Sequence, residues 1–351
     1  IVYDHESLKR YMKHAVDASP ERPILIDKFI ESATEFDVDA LCDGTDVIVP
    51  GIMQHIEEAG IHSGDSACIL PPHDLDPAIL EEMKRQTRAL AIELKVIGLM
   101  NIQFAVRDQD IFLIEVNPRA SRTVPFVSKA IGLPLAKIAA RVMAGKTLKE
   151  LGITKDPVPK FVSAKEVVLP FIKFPGVDTL LGPEMRSTGE VMGISRDMGG
   201  AFAKSQIAAG NSVPTEGLVF LSFNDRDKPK ASALAKELVD LGFNIIATAG
   251  TAKLIRESGV EVEEVFKVGE GRPNIVDRII NEDIHWIVNT PLGAQSKFDE
   301  QAIRRTALEH GIPTMTTLAA AKAALEGIKA MNNEAPTVYS LQEYHAELNN
   351  D

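Results

Sequence analysis

The sequence predicts two folded regions, an α+β region with an antiparallel sheet followed by an α/β region with a doubly wound parallel sheet. In the first region, two apolar stretches each fold back at a polar turn, which is the pattern of a β-hairpin. In the second region, from residue 218 onward, short apolar segments recur with helical patterns between them. Strand, helix and strand in alternation are typical of a parallel sheet with helices packed on it.

The first region is predicted to begin with a hairpin and a helix. The hairpin covers residues 24–54 and turns at Asp43-Gly44, a strong two-residue turn signal. The helix follows a loop, with Asp76 as its N-cap and apolar residues at three- and four-residue steps. Gly98 is the expected end of this helix.

The later elements are a second hairpin, a connecting region and the parallel sheet. The hairpin is LMNIQFAVRDQDIFLIEVNP, and the connecting region, at about residues 148–214, is rich in Pro and Gly. Five apolar segments are the expected strands of the parallel sheet: LVFLSF, FNIIATA, VEEVFKV, IHWIVN and IPTMT.

The composition of the 351 residues excludes several classes of protein. Lys and Arg number 38 against 50 Asp and Glu, so a sequence-independent nucleic-acid binder is not expected. We also expect no membrane span and no signal peptide. The two cysteines, Cys42 and Cys68, predict buried thiols in a reduced, cytoplasmic setting. Because the chain opens at Ile1 within an apparent strand or at its end, with no Met and no cap, we expect a fragment.

The second hairpin is predicted to carry a polar face. With residues 108–110 as its loop, Arg107 pairs with Ile111. The same register places four polar side chains on one face: Asn101, Gln103, Glu115 and Asn117. The other, buried face carries Ile102, Phe104, Val106, Phe112, Ile114 and Val116. Amide and carboxylate oxygens are ligands that Mg²⁺ prefers, but an ordinary half-exposed polar face is an equally good interpretation.

Two arginines, Arg119 and Arg122, follow this hairpin directly. Arginine suits bidentate contacts with phosphate, and a metal ion with neighbouring arginines is typical of phosphoryl transfer. Surface ion pairs remain the alternative interpretation of these two side chains.

Polar residues follow every strand of the predicted parallel sheet, where ligands of such sheets bind. They are Asn224 to Lys228, Thr248 to Thr251, Lys267, Asn289 and Thr290, and Thr316 and Thr317. Because a helix N-terminus favours anions, we expect a phosphate ligand at this edge. The alternative is that these residues only cap helices.

Five stretches of the sequence resemble a known family. LIEVNPRASRTVPFVSKA is similar to the metal-binding strand of ATP-grasp enzymes. With GLMNIQFAV, HSGDSA, KFPGVD and GPEMRSTGEVMG, it resembles the carbamoyl-phosphate synthetase large-subunit family nearly from end to end. The resemblance implies the C-terminal part of the second ATP-grasp domain (1–147), a connecting region packed on that unit (148–211) and a methylglyoxal synthase-like allosteric domain (212–351).

The resemblance implies an ATP site. Matching residues are Gln103, Glu115 and Asn117 for Mg²⁺ or Mn²⁺, Lys28, Ile30 and Glu35 for ATP, and His62, Arg119 and Arg122 as catalytic residues. The family's glycine-rich phosphate loop would precede Ile1, and no GxGxxG or Walker-type loop occurs in the chain. We therefore expect that the chain alone does not make carbamoyl phosphate.

The resemblance also implies two effector sites. A nucleotide such as UMP or IMP matches Ser222, Lys228, Thr248, Thr251, Lys267, Asn289 and Asp299, and ornithine matches Glu57, Asp65, Glu166, Leu181 and Thr316. TPLGAQSKFDE stands where an active methylglyoxal synthase has a Gly-Gly-Asp stretch, so we expect binding without chemistry. Pro291 and Thr314 depart from the family pattern, which leaves the identity of the effector open.

The function implied is ATP-dependent phosphorylation of carbamate in the synthesis of carbamoyl phosphate from bicarbonate and ammonia or glutamine, in pyrimidine and arginine biosynthesis. The implied partners are a glutamine amidotransferase small subunit and the N-terminal part of the large subunit, within a higher oligomer, and K⁺ is a further cofactor that the resemblance allows. Two alternatives remain: another ATP-grasp ligase that joins a carboxylate to an amine, and a non-catalytic regulatory module that binds a phosphate ligand.

Overall fold

Two β-sheets, one of seven strands and one of five, form the framework of the computed structural model. The structure describes residues 2, 4–18, 21, 23–30, 33–57, 59–174, 177, 179, 181–290 and 296–348, without the side chains of residues 18, 296–300 and 348. Across these residues, no helix combines the length and the apolar character that a membrane span requires.

The seven-stranded sheet is antiparallel throughout, which confirms the predicted α+β region. Its strands are β1 (Thr34–Asp43), β2 (Val47–His55), β3 (Cys68–Leu70), β4 (Ile97–Arg107), β5 (Asp110–Asn117), β6 (Val162–Val168) and β7 (Gly189–Ser195). Their spatial order is β5-β4-β1-β2-β3-β6-β7, so β5 is an edge strand. The hairpin prediction was wrong for residues 24–30, which form no strand and leave Leu25 83% exposed.

Four helices come before β6 in the chain: α1 (His5–Ala18), α2 (Pro77–Glu93), α3 (Val124–Ile131) and α4 (Leu135–Met143). Asp76 caps α2 as predicted, because its carboxylate accepts a hydrogen bond from the Ala78 N–H. The predicted end at Gly98 is wrong. The helix stops at Glu93, the chain turns at Lys95 with a φ of 54°, and Gly98 already lies in β4.

The five-stranded sheet is parallel and confirms the predicted α/β region. Its strands are β8 (Leu218–Phe223), β9 (Asn244–Thr248), β10 (Glu263–Val265), β11 (Trp286–Thr290) and β12 (Thr314–Met315), in the order β10-β9-β8-β11-β12. The remaining helices are α5 (Met198–Ala209), α6 (Lys228–Asp240), α7 (Ala249–Glu257), α8 (Ile275–Ile280), α9 (Ser296–Glu309), α10 (Leu318–Asn333) and α11 (Leu341–Leu348).

One hydrophobic core joins the two sheets. Ile56 and Ile69 from the first sheet region and Phe202 from α5 share a cluster with buried residues of the second sheet, such as Trp286. Helix α5 packs directly on α10, and the chains approach so closely that a Cβ atom at Gly199 would lie 2.3 Å from the Glu326 carbonyl oxygen. The two regions therefore share one hydrophobic core, and α5 and α10 meet in close contact.

Because the carbonyl oxygen at this contact is backbone, Gly199→Ala is expected to push α5 and α10 apart. We expect it to lower the free energy of unfolding by about 1–3 kcal/mol, the usual cost of overpacking. Urea unfolding of the 351-residue chain measures this, with Gly189→Ala as the control, since a Cβ atom there meets nothing within 4 Å. Equal stability of the two variants would contradict the close approach.

Candidate functional site

The polar face of the second hairpin forms as the sequence predicts. Gln103 of β4 pairs with Glu115 of β5, and Asn101 pairs with Asn117. The loop, however, is one residue shorter than predicted, since Arg107 pairs with Asp110 rather than Ile111. A β-bulge in β5 inserts one extra residue and restores the predicted pairs beyond it.

The bulge changes which apolar side chains are buried. Ile102 and Phe104 of β4 are fully buried as expected, but Ile114, predicted to be buried, is 49% exposed. Leu113 beside it is 46% exposed. Two consecutive exposed side chains follow from the bulge, which interrupts the alternation of faces on an edge strand.

The three predicted metal ligands lie side by side on this face. Gln103 and Asn117 are half-buried and Glu115 is exposed. The Asn117 amide N–H donates to Glu115 Oε1 over 2.7 Å, so the amide carbonyl oxygen is the atom with which Asn117 would bind a metal ion. Among the described residues no group of three His, Cys, Asp or Glu side chains could hold a metal. One carboxylate with two amides fits Mg²⁺ whose remaining ligands are phosphate oxygens.

Beside these residues, on the neighbouring strand β1, lie two buried acids that the sequence analysis missed. Asp37 and Asp39 of β1 are 1% and 0% exposed and lie beside Gln103 and Asn101 of β4. The Asn101 amide donates to Asp39 Oδ1 over 3.1 Å and approaches Asp37 Oδ1 at 3.4 Å. Burial raises the pKa of Asp39 to about 6, with the neighbouring Asp37 charge acting in the same direction. The signal available in the sequence was the spacing of these acids in an apolar strand, which puts them on one face.

A buried ion pair neutralises Asp37. His55 Nε2 lies 2.8 Å from Asp37 Oδ2, and His55 Nδ1 lies 3.5 Å from Glu35 Oε2. Burial alone would raise the pKa of Asp37, but the hydrogen bond and the charge of His55, together with the Asn101 amide and the Lys165 charge, outweigh it and the pKa is lowered. Burial opposes the charged ring of His55, yet Cys68 and the Asp37 carboxylate raise its pKa well above the usual value. The direction of this shift favours the charged form of the His55 ring beside Asp37.

The residues predicted to contact ATP are placed as follows. Glu35 is half-buried in β1, and its Oε1 accepts a hydrogen bond from the Gly60 N–H over 3.0 Å. Lys28 is exposed and Ile30 is half-buried, both in the stretch without regular structure before β1. The Glu35 carboxylate is thus anchored to the loop that follows β2.

The three predicted catalytic residues lie in two loops. His62 Nδ1 accepts a hydrogen bond from the Gly64 N–H over 3.0 Å, so the neutral ring carries its proton on Nε2. Arg119 and Arg122 are exposed in the segment between β5 and α3. The Arg119 backbone N–H donates to the Asn117 carbonyl over 2.7 Å, which fixes this segment to the end of β5.

At the second sheet, two hydroxyls and a lysine meet at the N-terminus of α7. Thr248 and Thr251 are buried, and Thr251 Oγ1 accepts a hydrogen bond from the Phe223 N–H over 3.1 Å. Lys228 forms an ion pair with Asp225, and a Cβ atom at Gly250 would lie 3.2 Å from Lys228 Nζ. Lys228 therefore lies over the first turn of α7.

The other residues of the predicted nucleotide site are less closely gathered. Ser222 and Asn289 are paired in register on the neighbouring strands β8 and β11. Lys267 is exposed after β10, and its backbone N–H donates to the Glu270 carboxylate over 3.0 Å. The Asp299 side chain and Pro291 lie outside the described residues.

The structure brings together three of the five residues predicted for ornithine. Thr316 Oγ1 donates to Glu57 Oε2 over 3.3 Å, across the junction of the two regions. Glu166 is buried nearby, and burial together with the Glu57 charge raises its pKa to about 7. Asp65 instead accepts backbone N–H groups from Arg186 and Ser187 over 2.7 and 2.8 Å.

Leu181 is half-buried, and the Thr314 hydroxyl donates to the Ile312 carbonyl over 3.3 Å. Glu57, Glu166 and Thr316 form the centre of this candidate site.

The raised pKa of Glu166 predicts a pH-dependent stability. In the folded chain this carboxyl keeps its proton up to about pH 7, whereas in the unfolded chain it loses it near its ordinary pKa of 4.5. The contribution of this raised pKa to the free energy of unfolding is thus fully present below pH 4.5 and is lost as the pH rises through 7. Glu166→Gln, which does not titrate, should therefore become more stable than the wild type by up to about 3 kcal/mol at pH 8.

Urea unfolding of both chains between pH 5 and pH 8 measures this difference. The exposed Glu93→Gln is the matched control and should show no such trend. A stability difference for Glu166→Gln that is independent of pH would contradict the assignment of a buried, protonated carboxyl.

Two family models match separate parts of the chain. The family model "Carbamoyl-phosphate synthase L chain, ATP binding domain" matches residues 1–151, and the family model "MGS-like domain" matches residues 230–316. The biotin carboxylase domain of a 2-oxoglutarate carboxylase from Hydrogenobacter thermophilus is 17% identical, with a TM-score of 0.46, over 58% of this chain and 50% of that chain. That likeness is too low to add to the assignment.

Three relatives share the name "Carbamoyl phosphate synthase large chain". Those from Pseudomonas syringae pv. tomato and Archaeoglobus fulgidus are 56% and 53% identical over 348 residues, and that from Acidobacterium capsulatum is 57% identical over 352. Each alignment covers 99% of this chain but 32% of the relative. The resemblance found in the sequence is confirmed: the chain belongs to the carbamoyl phosphate synthase large-chain family, and it spans about a third of the length of the curated relatives it matches.

Proposed function

We propose that this chain forms the C-terminal third of a carbamoyl phosphate synthase large chain and supplies part of the ATP site that phosphorylates carbamate. The name and the 53–57% identity of the relatives support this assignment. The observation that carries it is the pairing of Gln103 with Glu115 and of Asn101 with Asn117, directly before the segment with Arg119. The protein is then an ATP-dependent ligase.

Gln103, Glu115 and Asn117 would hold Mg²⁺ or Mn²⁺ at this site. When bound, the metal ion neutralises charge on the ATP phosphates. Glu115 is the anionic ligand, and its hydrogen bond from Asn117 keeps the two side chains together. Gln103 opposite supplies a carbonyl oxygen from the neighbouring strand.

The remaining residues of the site bind and orient the reactants. In the reaction, an oxygen of carbamate forms a bond to the γ-phosphorus of ATP while the bond to the ADP oxygen breaks. Arg119 and Arg122 donate to the anionic reactants, and His62 donates from Nε2. The Glu35 carboxylate, which accepts one hydrogen bond from the Gly60 N–H, still has free lone pairs that accept hydrogen bonds from the ribose hydroxyls. The backbone of Lys28 and Ile30 contacts adenine.

The reverse reaction tests the proposal directly. The large chain that contains this sequence is incubated with carbamoyl phosphate and MgADP, and the ATP formed is measured. We expect ATP formation that depends on carbamoyl phosphate and on the divalent metal ion. No ATP above the control without carbamoyl phosphate would reject the proposed function.

The second region is proposed to bind effectors. The match to the MGS-like domain supports a nucleotide monophosphate, UMP or IMP, held at the α7 N-terminus. The proposed ligands of its phosphate are Lys228, Thr248, Thr251 and Lys267, and further contacts come from Ser222, Asn289 and Asp299. Ornithine, a cation, is proposed to bind between Glu57 and Glu166, whose two carboxyl groups and Thr316 lie at the junction of the regions.

The partners proposed for the whole large chain are a glutamine amidotransferase small subunit, which supplies ammonia, and the rest of the large chain. The family name supports the first of these, because a large chain implies a smaller one. K⁺ is proposed as a further ion. The chain's net charge of −12 gives no support to a nucleic-acid partner.

A further inference from the structure

Asp39 is a fully buried carboxylate that the reaction proposed above does not use. It is 0% exposed, in the middle of β1. Three side chains donate to it: Ser121 Oγ to Oδ1 over 2.7 Å, Thr123 Oγ1 to Oδ2 over 2.7 Å, and Asn101 Nδ2 to Oδ1 over 3.1 Å. Two of these three donors come from the segment that carries Arg119 and Arg122.

Thr123 departs from the usual role of a threonine at its position. It is the N-cap residue of α3, yet its side chain makes no capping hydrogen bond. Its hydroxyl donates to Asp39 instead and lies 2.5 Å from the Ser121 hydroxyl, which donates to the same carboxylate. A side-chain cap ordinarily stabilises a helix start, so this threonine serves the contact with Asp39 at the expense of α3.

The segment is consequently fixed at both ends. Asn117 is held in β5 by its pairing with Asn101, and the Arg119 N–H is bonded to the Asn117 carbonyl. At the other end, Ser121 and Thr123 are held by Asp39. Asn101 touches both anchors, because it pairs with Asn117 and donates to Asp39. The backbone between these anchors carries both arginines.

We propose that Asp39 is a positioning residue that holds the segment 118–123 so that Arg119 and Arg122 face the anionic reactants beside Glu115. The inference rests on the proposed function of that site, but the anchoring itself does not. Asp39 acts through its hydrogen bonds to Ser121 and Thr123, and it touches neither metal ion nor reactant.

Asp37 provides a matched comparison. It lies two residues away on the same strand and the same face, and it is 1% exposed. Its partners are His55 and Asn101, and in the hydrogen bonds of the described residues it has no contact with the segment 118–123. Variants of either acid remove a buried carboxylate from β1, whereas only variants of Asp39 are expected to release the segment 118–123.

Amide hydrogen exchange of the 351-residue chain tests the anchoring without any activity. Asp39→Ala, and separately Ser121→Ala combined with Thr123→Val, should speed exchange at residues 119–123 by about tenfold. Asp39→Asn should stay close to the wild type, because its amide can accept from Ser121 and donate to the Thr123 oxygen. Asp37→Ala should leave this segment unchanged. Unchanged exchange in the Ser121/Thr123 double variant, or equal acceleration by Asp37→Ala, would overturn the anchoring.

The second measurement is ATP formation from carbamoyl phosphate and MgADP by the large chain that contains this sequence. Asp39→Ala and the Ser121/Thr123 variant should each lower kcat by about 10- to 100-fold, with little change in the KM for MgADP, and their effects should not add. Asp39→Asn should restore most of the rate. An Asp39→Asn variant as slow as Asp39→Ala would show that the rate depends on the negative charge of Asp39 rather than on its hydrogen bonds, and would reject the positioning role. A wild type without ATP formation would reject the proposed function, while the exchange result would still decide the anchoring.

Discussion

Glu115→Gln is expected to reduce ATP formation from carbamoyl phosphate and MgADP by about 10²- to 10³-fold or more. Glu115 is the one carboxylate of the proposed ligand set, so the change removes the only negative charge from that set. Glutamine keeps the shape and can still accept the hydrogen bond from Asn117. The loss would therefore reflect the metal ion and the phosphates rather than folding, and Gln103→Ala should have a similar effect.

The control for this variant is Asp110→Asn, because Asp110 is exposed at the other end of the same strand. It should keep wild-type activity, and the circular dichroism spectrum of both variants should match that of the wild type. A rate for Glu115→Gln equal to that of the wild type at saturating Mg²⁺ would show that the hairpin face does not hold the metal ion.

Lys228→Ala is expected to weaken binding of a nucleotide monophosphate by tenfold or more. Lys228 lies over the first turn of α7, where buried Thr248 and Thr251 and the helix N-terminus favour an anion. A hydrogen bond to a charged group is worth about 1.5–3 kcal/mol, which corresponds to that change in affinity. Titration calorimetry of the 351-residue chain with UMP, IMP and inorganic phosphate measures it.

The matched control is Lys230→Ala, since Lys230 is exposed on the same helix two residues further on. It changes the net charge equally and should leave the affinity within error of the wild type. If none of the three ligands binds, or if both lysine variants lose the same affinity, the residues at these strand ends serve only to cap helices.

The hairpin shows how far the sequence alone could define the candidate site. Alternation of polar and apolar residues gave the correct partners, Gln103 with Glu115 and Asn101 with Asn117, because one face of β4 must be buried. The sequence did not predict the loop length or the bulge, because Leu113 and Ile114 are both apolar and no glycine in this stretch marks an extra residue. Two opposite errors, a loop too long by one residue and an unrecognised bulge, cancelled at the functional pairs.

The contacts of the two buried acids could not be predicted from the sequence. The sequence places Asp37 and Asp39 in a strand that runs to a turn, but their hydrogen-bond partners are far away in the chain. His55 comes from β2 and Thr123 from the start of α3, and no local pattern relates either of them to β1. Local signals such as the Asp76 cap and the five short strands were predicted correctly, because short-range propensities decide them.

The central claim, that Gln103, Glu115 and Asn117 hold a divalent metal ion with its nucleotide, is tested most directly by locating that ion. Crystals of the large chain that contains this sequence, grown with MnADP, give the position of Mn²⁺ from its anomalous scattering. We predict an anomalous peak in contact with the Glu115 carboxylate and the amide oxygens of Gln103 and Asn117. A peak elsewhere in this half of the molecule, or ADP bound with its phosphates away from Glu115, would contradict the account.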